Sequence, residues 1–142
     1  MTINEIQDQV TEEFALFDDW LDKYNFLIEI GRTLAPMEPK YKTKDFLIEG
    51  CQSKVWLYPS FDNGKISFMA DSDAIITRGI VALLIKVLTD RSPEEIINAD
   101  LYFIDRIGLK QNLSPTRSNG LLAMVKQMKL YAIAFNAKLN MK

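Results

Sequence analysis

One thiol is available for chemistry in this 142-residue chain: Cys51, in the stretch EGCQSKVW at 49–56. It follows Gly50, whose missing Cβ admits strained turn conformations, and precedes polar Gln52, Ser53 and Lys54 rather than an apolar run. A cysteine at a polar turn can be reached by a partner. Lys54, backbone N–H groups or an arginine would lower its pKa and enlarge the thiolate fraction, which is the nucleophile. The competing reading is an inert cysteine packed as a small hydrophobe.

The rest of the composition narrows what that thiol can do. With no second cysteine, dithiol exchange within the chain is excluded, and no internal disulfide points to an oxidising compartment. The chain has no histidine. That removes Ser-His-Asp and Cys-His arrangements, most zinc sites and the usual proton shuttle near neutral pH. It also leaves too few soft ligands for an iron–sulfur cluster. A lone thiolate can still attack the outer sulfur of a partner's persulfide and become Cys–S–SH. That chemistry calls for no metal and no cofactor. Redox sensing through a sulfenic acid uses the same thiol and stays open.

A second constellation is LSPTRSNG at 113–120. Ser114 and Pro115 form a cap and first-turn pair. Arg117 then falls in the first helical turn, where the helix dipole disfavours a cation. Such a charge calls for a partner, either Asp73 or a bound anionic group, unless it is an ordinary surface arginine.

These residues need elements to position them. Thr2 and Glu5 form a capping box ahead of a helix carrying Ile3, Ile6 and Val10. A second helix begins near Asp18 or Asp19 and buries Trp20, Tyr24, Leu27, Ile28 and Leu34. The connection APMEPKYKTKD is too interrupted for a helix, and its Lys40, Lys42 and Lys44 read as a solvated loop. Val55 and Leu57 alternate with Trp56 and Tyr58 along a strand. The DNG at 62–64 marks a hairpin turn, and Ile66, Phe68 and Ala70 continue on the return strand. FLIEG at 46–50 is expected to add a third strand. A central buried helix follows, with Ser72 as its expected N-cap and Gly79 allowing close backbone packing. Ser92, Pro93 and Glu95 open a short helix. A last helix runs from SPTRSNG to about Leu139, burying Leu121, Met124, Val125, Met128 and Phe135. Helices, a small antiparallel sheet and more helices make an α+β fold, expected as one domain over residues 1–142.

Net charge is −2, from 17 Lys+Arg against 19 Asp+Glu, which offers no footprint for nucleic acid. The longest apolar stretch, GIVALLI at 79–85, is too short to span a bilayer. The N-terminal MTINEIQDQVTEEF is acidic and polar, unlike a secretory or transit peptide, so a cytoplasmic location is expected.

The segments GCQSKVW at 50–56, ADSDAIITRG at 70–79 and LSPTRSNG at 113–120 resemble, in order and separation, the SufE family of sulfur acceptors for cysteine desulfurases. The related CsdE branch shares them. The resemblance covers about residues 15–135 and implies a two-layer domain similar to the IscU scaffold, with the motif cysteine on a loop at one end of the sheet. It further implies that Cys51 takes persulfide sulfur from a SufS-like pyridoxal-phosphate desulfurase, activates that enzyme and hands the sulfur to a SufBCD-like assembly scaffold. Arg117 and Asp73 then lie near Cys51, with Gly50, Gln52 and Ser53 forming the loop. Lys54 departs from the family, which often has an uncharged residue there.

Two functional classes follow: a sulfur carrier without desulfurase activity of its own, and a non-catalytic regulator in which Cys51 is structural or redox-sensing. A carrier must protect its persulfide, because free thiols strip an accessible one by exchange. Cys51 is therefore expected to be sheltered at rest against Val55, Trp56, Leu57 and the 74–88 helix, with Gly50 as the joint that releases it.

Overall fold

A computed structural model describes residues 1–140; the last two positions of the expected 1–142 span lie outside it. The chain opens with α1 (Ile3–Ala15), entered through the expected capping box: Thr2 accepts the Glu5 N–H while Glu5 accepts the Thr2 N–H. Asp19 caps α2 (Trp20–Arg32) by accepting the Asp22 N–H at 2.9 Å. Of the expected apolar face of α2 only Leu27 is fully buried; Trp20, Tyr24, Ile28 and Leu34 are half-buried.

The sheet is a two-stranded antiparallel hairpin, β1 (Val55–Asp62) against β2 (Lys65–Ser72). Asn63 and Gly64 turn it with φ of 53° and 77°, the positive pair that suits the twist of a tight hairpin. Its inner face carries Val55, Leu57, Ile66, Phe68 and Ala70, all buried, and Trp56 and Tyr58 point outward as the alternation requires. The expected third strand at 46–50 does not form. Leu47 makes only an isolated bridge to Trp56, and the Ile48 N–H reaches the Val55 carbonyl at 2.8 Å. Two short 3-10 turns, Pro39–Tyr41 and Lys44–Phe46, take up the chain before that point, and Gly50 ends it at φ 90°.

The inner face packs on α3 (Ile75–Leu88), whose Ile80–Leu84, Val87 and Leu88 are buried. Gly79 brings α3 against α2: a Cβ there would clash with the Leu27 carbonyl oxygen. Gly31 matches it from α2, since its Cβ would stand 2.9 Å from the Gly79 nitrogen. The expected N-cap is displaced, because Ser72 still belongs to β2 and Ala74 occupies the cap position. The Ser72 hydroxyl accepts the Ala74 N–H at 3.2 Å instead.

Ser92 and Glu95 close the expected capping box on α4 (Pro93–Asn98). Two one-turn helices, α5 (Phe103–Arg106) and α6 (Leu109–Asn112), lead into the long α7 (Pro115–Asn140). Buried Gln7 ties this region to α1, donating to the Asp100 carbonyl at 2.9 Å and accepting the Phe103 N–H at 3.1 Å. One layer is thus the hairpin and the other the helices, an α+β architecture with a continuous core from Ile3 to Ala132. No helix among the described residues is long and apolar enough to cross a membrane.

Candidate functional site

Cys51 lies on the loop between the Leu47 bridge and β1, at the end of the hairpin where α3 and α7 begin. Gly50 makes that placement possible in two ways. Its φ of 90° is one that L-residues rarely adopt, and a Cβ on it would press to 3.3 Å of the Ala123 Cβ on α7. Beyond the cysteine the loop is fastened by Asp73. Its carboxylate accepts the Lys54 N–H at 3.0 Å, and its own N–H donates to the Lys54 carbonyl at 3.3 Å.

The thiol is half-buried and turned toward α7, where its Sγ donates to the Gly120 carbonyl at 3.6 Å. Beside it is a cavity of about 310 Å³. The loop residues Gln52 and Ser53 line one wall, and Ser114, Thr116 and Arg117 from the start of α7 line another. Thr77 and Ile80 of α3 with Met124 of α7 complete it. Of the expected shelter, the 74–88 helix contributes Thr77 and Ile80, while α7 residues take the place expected of Val55, Trp56 and Leu57. Val55 and Leu57 point into the core behind the loop, and Trp56 points outward.

Electrostatics differ from the sequence expectation. Burial pushes the Cys51 thiol above its ordinary value. Its hydrogen-bond partner is a carbonyl, which favours the neutral S–H. At rest the thiol is held protonated rather than activated.

The structure brings Cys51, Gln52, Ser53 and Arg117 to one cavity and places Gly50 and Asp73 at the two ends of the loop. It does not pair Arg117 with Asp73. Arg117 is exposed in the first turn of α7, and among the described residues no carboxylate lies within ion-pair distance of it. The Arg117 N–H is capped by Ser114, as expected, at 3.3 Å.

Lys42 departs from its solvated-loop reading. It reaches Asp71 at 2.6 Å and lies over the Trp56 ring at 5.6 Å. Arg78 Nε lies 3.2 Å from the same carboxylate. Burial alone would raise the Asp71 pKa, yet Lys42, the Ser72 N–H and Arg78 together hold it below its ordinary value. Lys42 thereby staples the segment leading to the Cys51 loop onto β2. Nothing in the spacing of three lysines singled this one out; its partner is nearly thirty residues away. Thr77 went unread, although its hydroxyl, next to Arg78 in the mostly apolar run IITRGIVALLI, is a visible signal.

The family model SufE, described as an Fe-S metabolism associated domain, matches residues 8–132. An uncharacterized SufE-like protein of Rhizobium etli is 40% identical over 127 residues, covering 86% of each chain. Another from Rhizobium meliloti strain 1021 is 35% identical, covering 86% of this chain and 91% of its own. SufE-like protein 1, chloroplastic/mitochondrial, of Arabidopsis thaliana is 37% identical over 96% of this chain, which spans 38% of that longer protein. The fold matches the solution structure of a hypothetical protein from Thermus thermophilus with a TM-score of 0.75 and 21% identity, covering 91% of this chain and 94% of that one. The chain belongs to the SufE family and so to Fe–S metabolism, where that membership supports a role in sulfur transfer.

Proposed function

We propose that this protein accepts persulfide sulfur on Cys51 from a cysteine desulfurase, activates that enzyme by accepting it, and passes the sulfur to an iron–sulfur assembly scaffold. The carrying observation is the position of Cys51: a half-buried thiol at the edge of a cavity of about 310 Å³, on a loop jointed at Gly50 and fastened at Asp73. The cavity has room for a second sulfur and shields it from free thiols, as a carrier requires. The loop can turn outward without disturbing β1, because its fastenings are few and local.

Transfer is a displacement with no net oxidation. The Cys51 thiolate attacks the outer sulfur of the partner's R–S–SH, whose S–S bond breaks. R–S⁻ leaves and takes a proton, and Cys51 becomes Cys–S–SH. Because the resting thiol is held neutral, activation belongs to the docked complex, where the loop leaves Gly120 and the thiol leaves its buried environment. The desulfurase thus selects an outward conformer present as a minor state of the free protein. Arg117, a cation on the cavity wall without a carboxylate partner among the described residues, is suited to stabilise the anionic sulfur. The desulfurase itself is the pyridoxal-phosphate enzyme, and this chain acts as its accessory protein in the cytoplasm.

Replacement of the thiol tests the reading. Cys51→Ser is nearly isosteric, but a hydroxyl is a far poorer nucleophile at neutral pH. It should fold normally and fail to stimulate a cysteine desulfurase. Full stimulation by the serine variant would contradict the carrier reading, and loss of folding would return Cys51 to a structural role.

A further inference from the structure

Thr77 is 6% exposed and lines the Cys51 cavity; its hydroxyl bonds to none of the described residues and is not sealed in by protein, so it opens on the cavity. That is unusual for a helical threonine, which commonly donates back to a carbonyl in the preceding turn. Thr11 does so to Gln7 at 2.9 Å, and Thr33 does so to Ile30 at 2.6 Å. A hydroxyl that faces a cavity with its proton uncommitted is available to a guest there.

We propose that the Thr77 hydroxyl holds the outer sulfur of a persulfide on Cys51 inside the cavity. The proposal rests on the sulfur-carrier reading and names a residue for it. In the resting protein the Cys51 S–H is the donor and the Gly120 carbonyl the acceptor. Loading reverses the requirement. A persulfide is more acidic than a thiol, so Cys51–S–S⁻ has no proton to give and its outer sulfur needs a donor. The Gly120 carbonyl cannot serve. Ile80 and Met124 are apolar, Gln52, Ser114, Thr116 and Arg117 are exposed, and Ser53 is half-buried on the Cys51 loop itself. Among the polar side chains of the wall, Thr77 is the buried one. An ionised acceptor roughly doubles the strength of such a bond, and a low-dielectric wall strengthens it further.

The test uses protein loaded at Cys51 with inorganic polysulfide, freed of reagent and exposed to a fixed concentration of glutathione. Intact mass follows the loss of the added sulfur. Thr77→Val keeps the branched shape and removes the hydroxyl; it should lose its sulfur about tenfold faster, as expected for one hydrogen bond to an ion. Thr77→Ser keeps the hydroxyl and should stay within about twofold of the parent. The thermal midpoint of Thr77→Val should be unchanged or higher, since the lost group had no partner to leave behind. Loss at the parent rate in Thr77→Val would overturn the proposal. So would equally fast loss from both variants, which would make packing the cause, or failure of polysulfide to load the parent. Failure of the carrier reading looks different: the parent would load from polysulfide and never from a desulfurase.

Discussion

The Cys51 sulfur rests 3.6 Å from the carbonyl oxygen of Gly120, so the resting thiol is docked against the second turn of α7 by a residue with no side chain. A Cβ on Gly120 would stand 3.5 Å from that sulfur, an ordinary van der Waals contact. Gly120→Ala should therefore keep the thiol in place and gain about 0.5–1 kcal/mol from helix propensity. Gly120→Leu has no room and should expel the loop. Alkylation of Cys51 by a bulky maleimide is the readout: near the parent rate for alanine, and at least about tenfold faster for leucine, as the population of the outward conformer rises. Equal rates in both variants would mean that α7 does not dock the thiol.

The pH dependence of the same alkylation reports on burial. The folded thiol titrates above the ordinary cysteine value of 9.0, with burial as the cause. The rate profile of the free protein should therefore have its midpoint above that of an unstructured cysteine peptide. Stability follows with a definite sign. Between the unfolded and folded pKa values the native state holds the proton that the unfolded state has lost. This contribution is fully present below the unfolded pKa and disappears as pH rises through the folded one. A midpoint at or below that of the peptide would show that Cys51 is activated at rest.

Arg117 offers a separation of transfer from stability. It is exposed, has no carboxylate partner among the described residues and lines the cavity. Arg117→Ala should leave the thermal midpoint nearly unchanged, as surface substitutions do within about 0.5 kcal/mol. Sulfur transfer to Cys51 should slow about tenfold or more, the loss of one charge-assisted contact. Transfer at the parent rate would return Arg117 to an ordinary surface arginine.

Local chemistry made much of this legible in advance. Capping boxes at Thr2 and Ser92 depend on residues three apart, and both form. Alternation read the two faces of β1 and β2 correctly because only one face carries the buried apolar side chains. What failed depended on distance. Leu47 forms a bridge rather than a strand, since 3-10 turns and Gly50 leave too little extended chain on either side of it. The Lys42–Asp71 staple and the Gln7 bonds to residues 100 and 103 join segments that no periodic pattern connects. α5 and α6 are one turn each, shorter than the window over which helical periodicity can be seen. At the candidate site, the motifs singled out Cys51 and Arg117, and the fold brings both to one cavity. The direction of the thiol's pKa shift depended on how far α3 and α7 enclose it, which only tertiary packing determines.

The central claim is that sulfur is carried covalently on Cys51. The protein should be incubated with a cysteine desulfurase and free cysteine, quenched, and measured by intact mass with peptide mapping. The account predicts a gain of one sulfur, confined to the peptide containing Cys51, removed by reductant and absent in Cys51→Ser. An unmodified Cys51 alongside an active desulfurase would contradict it.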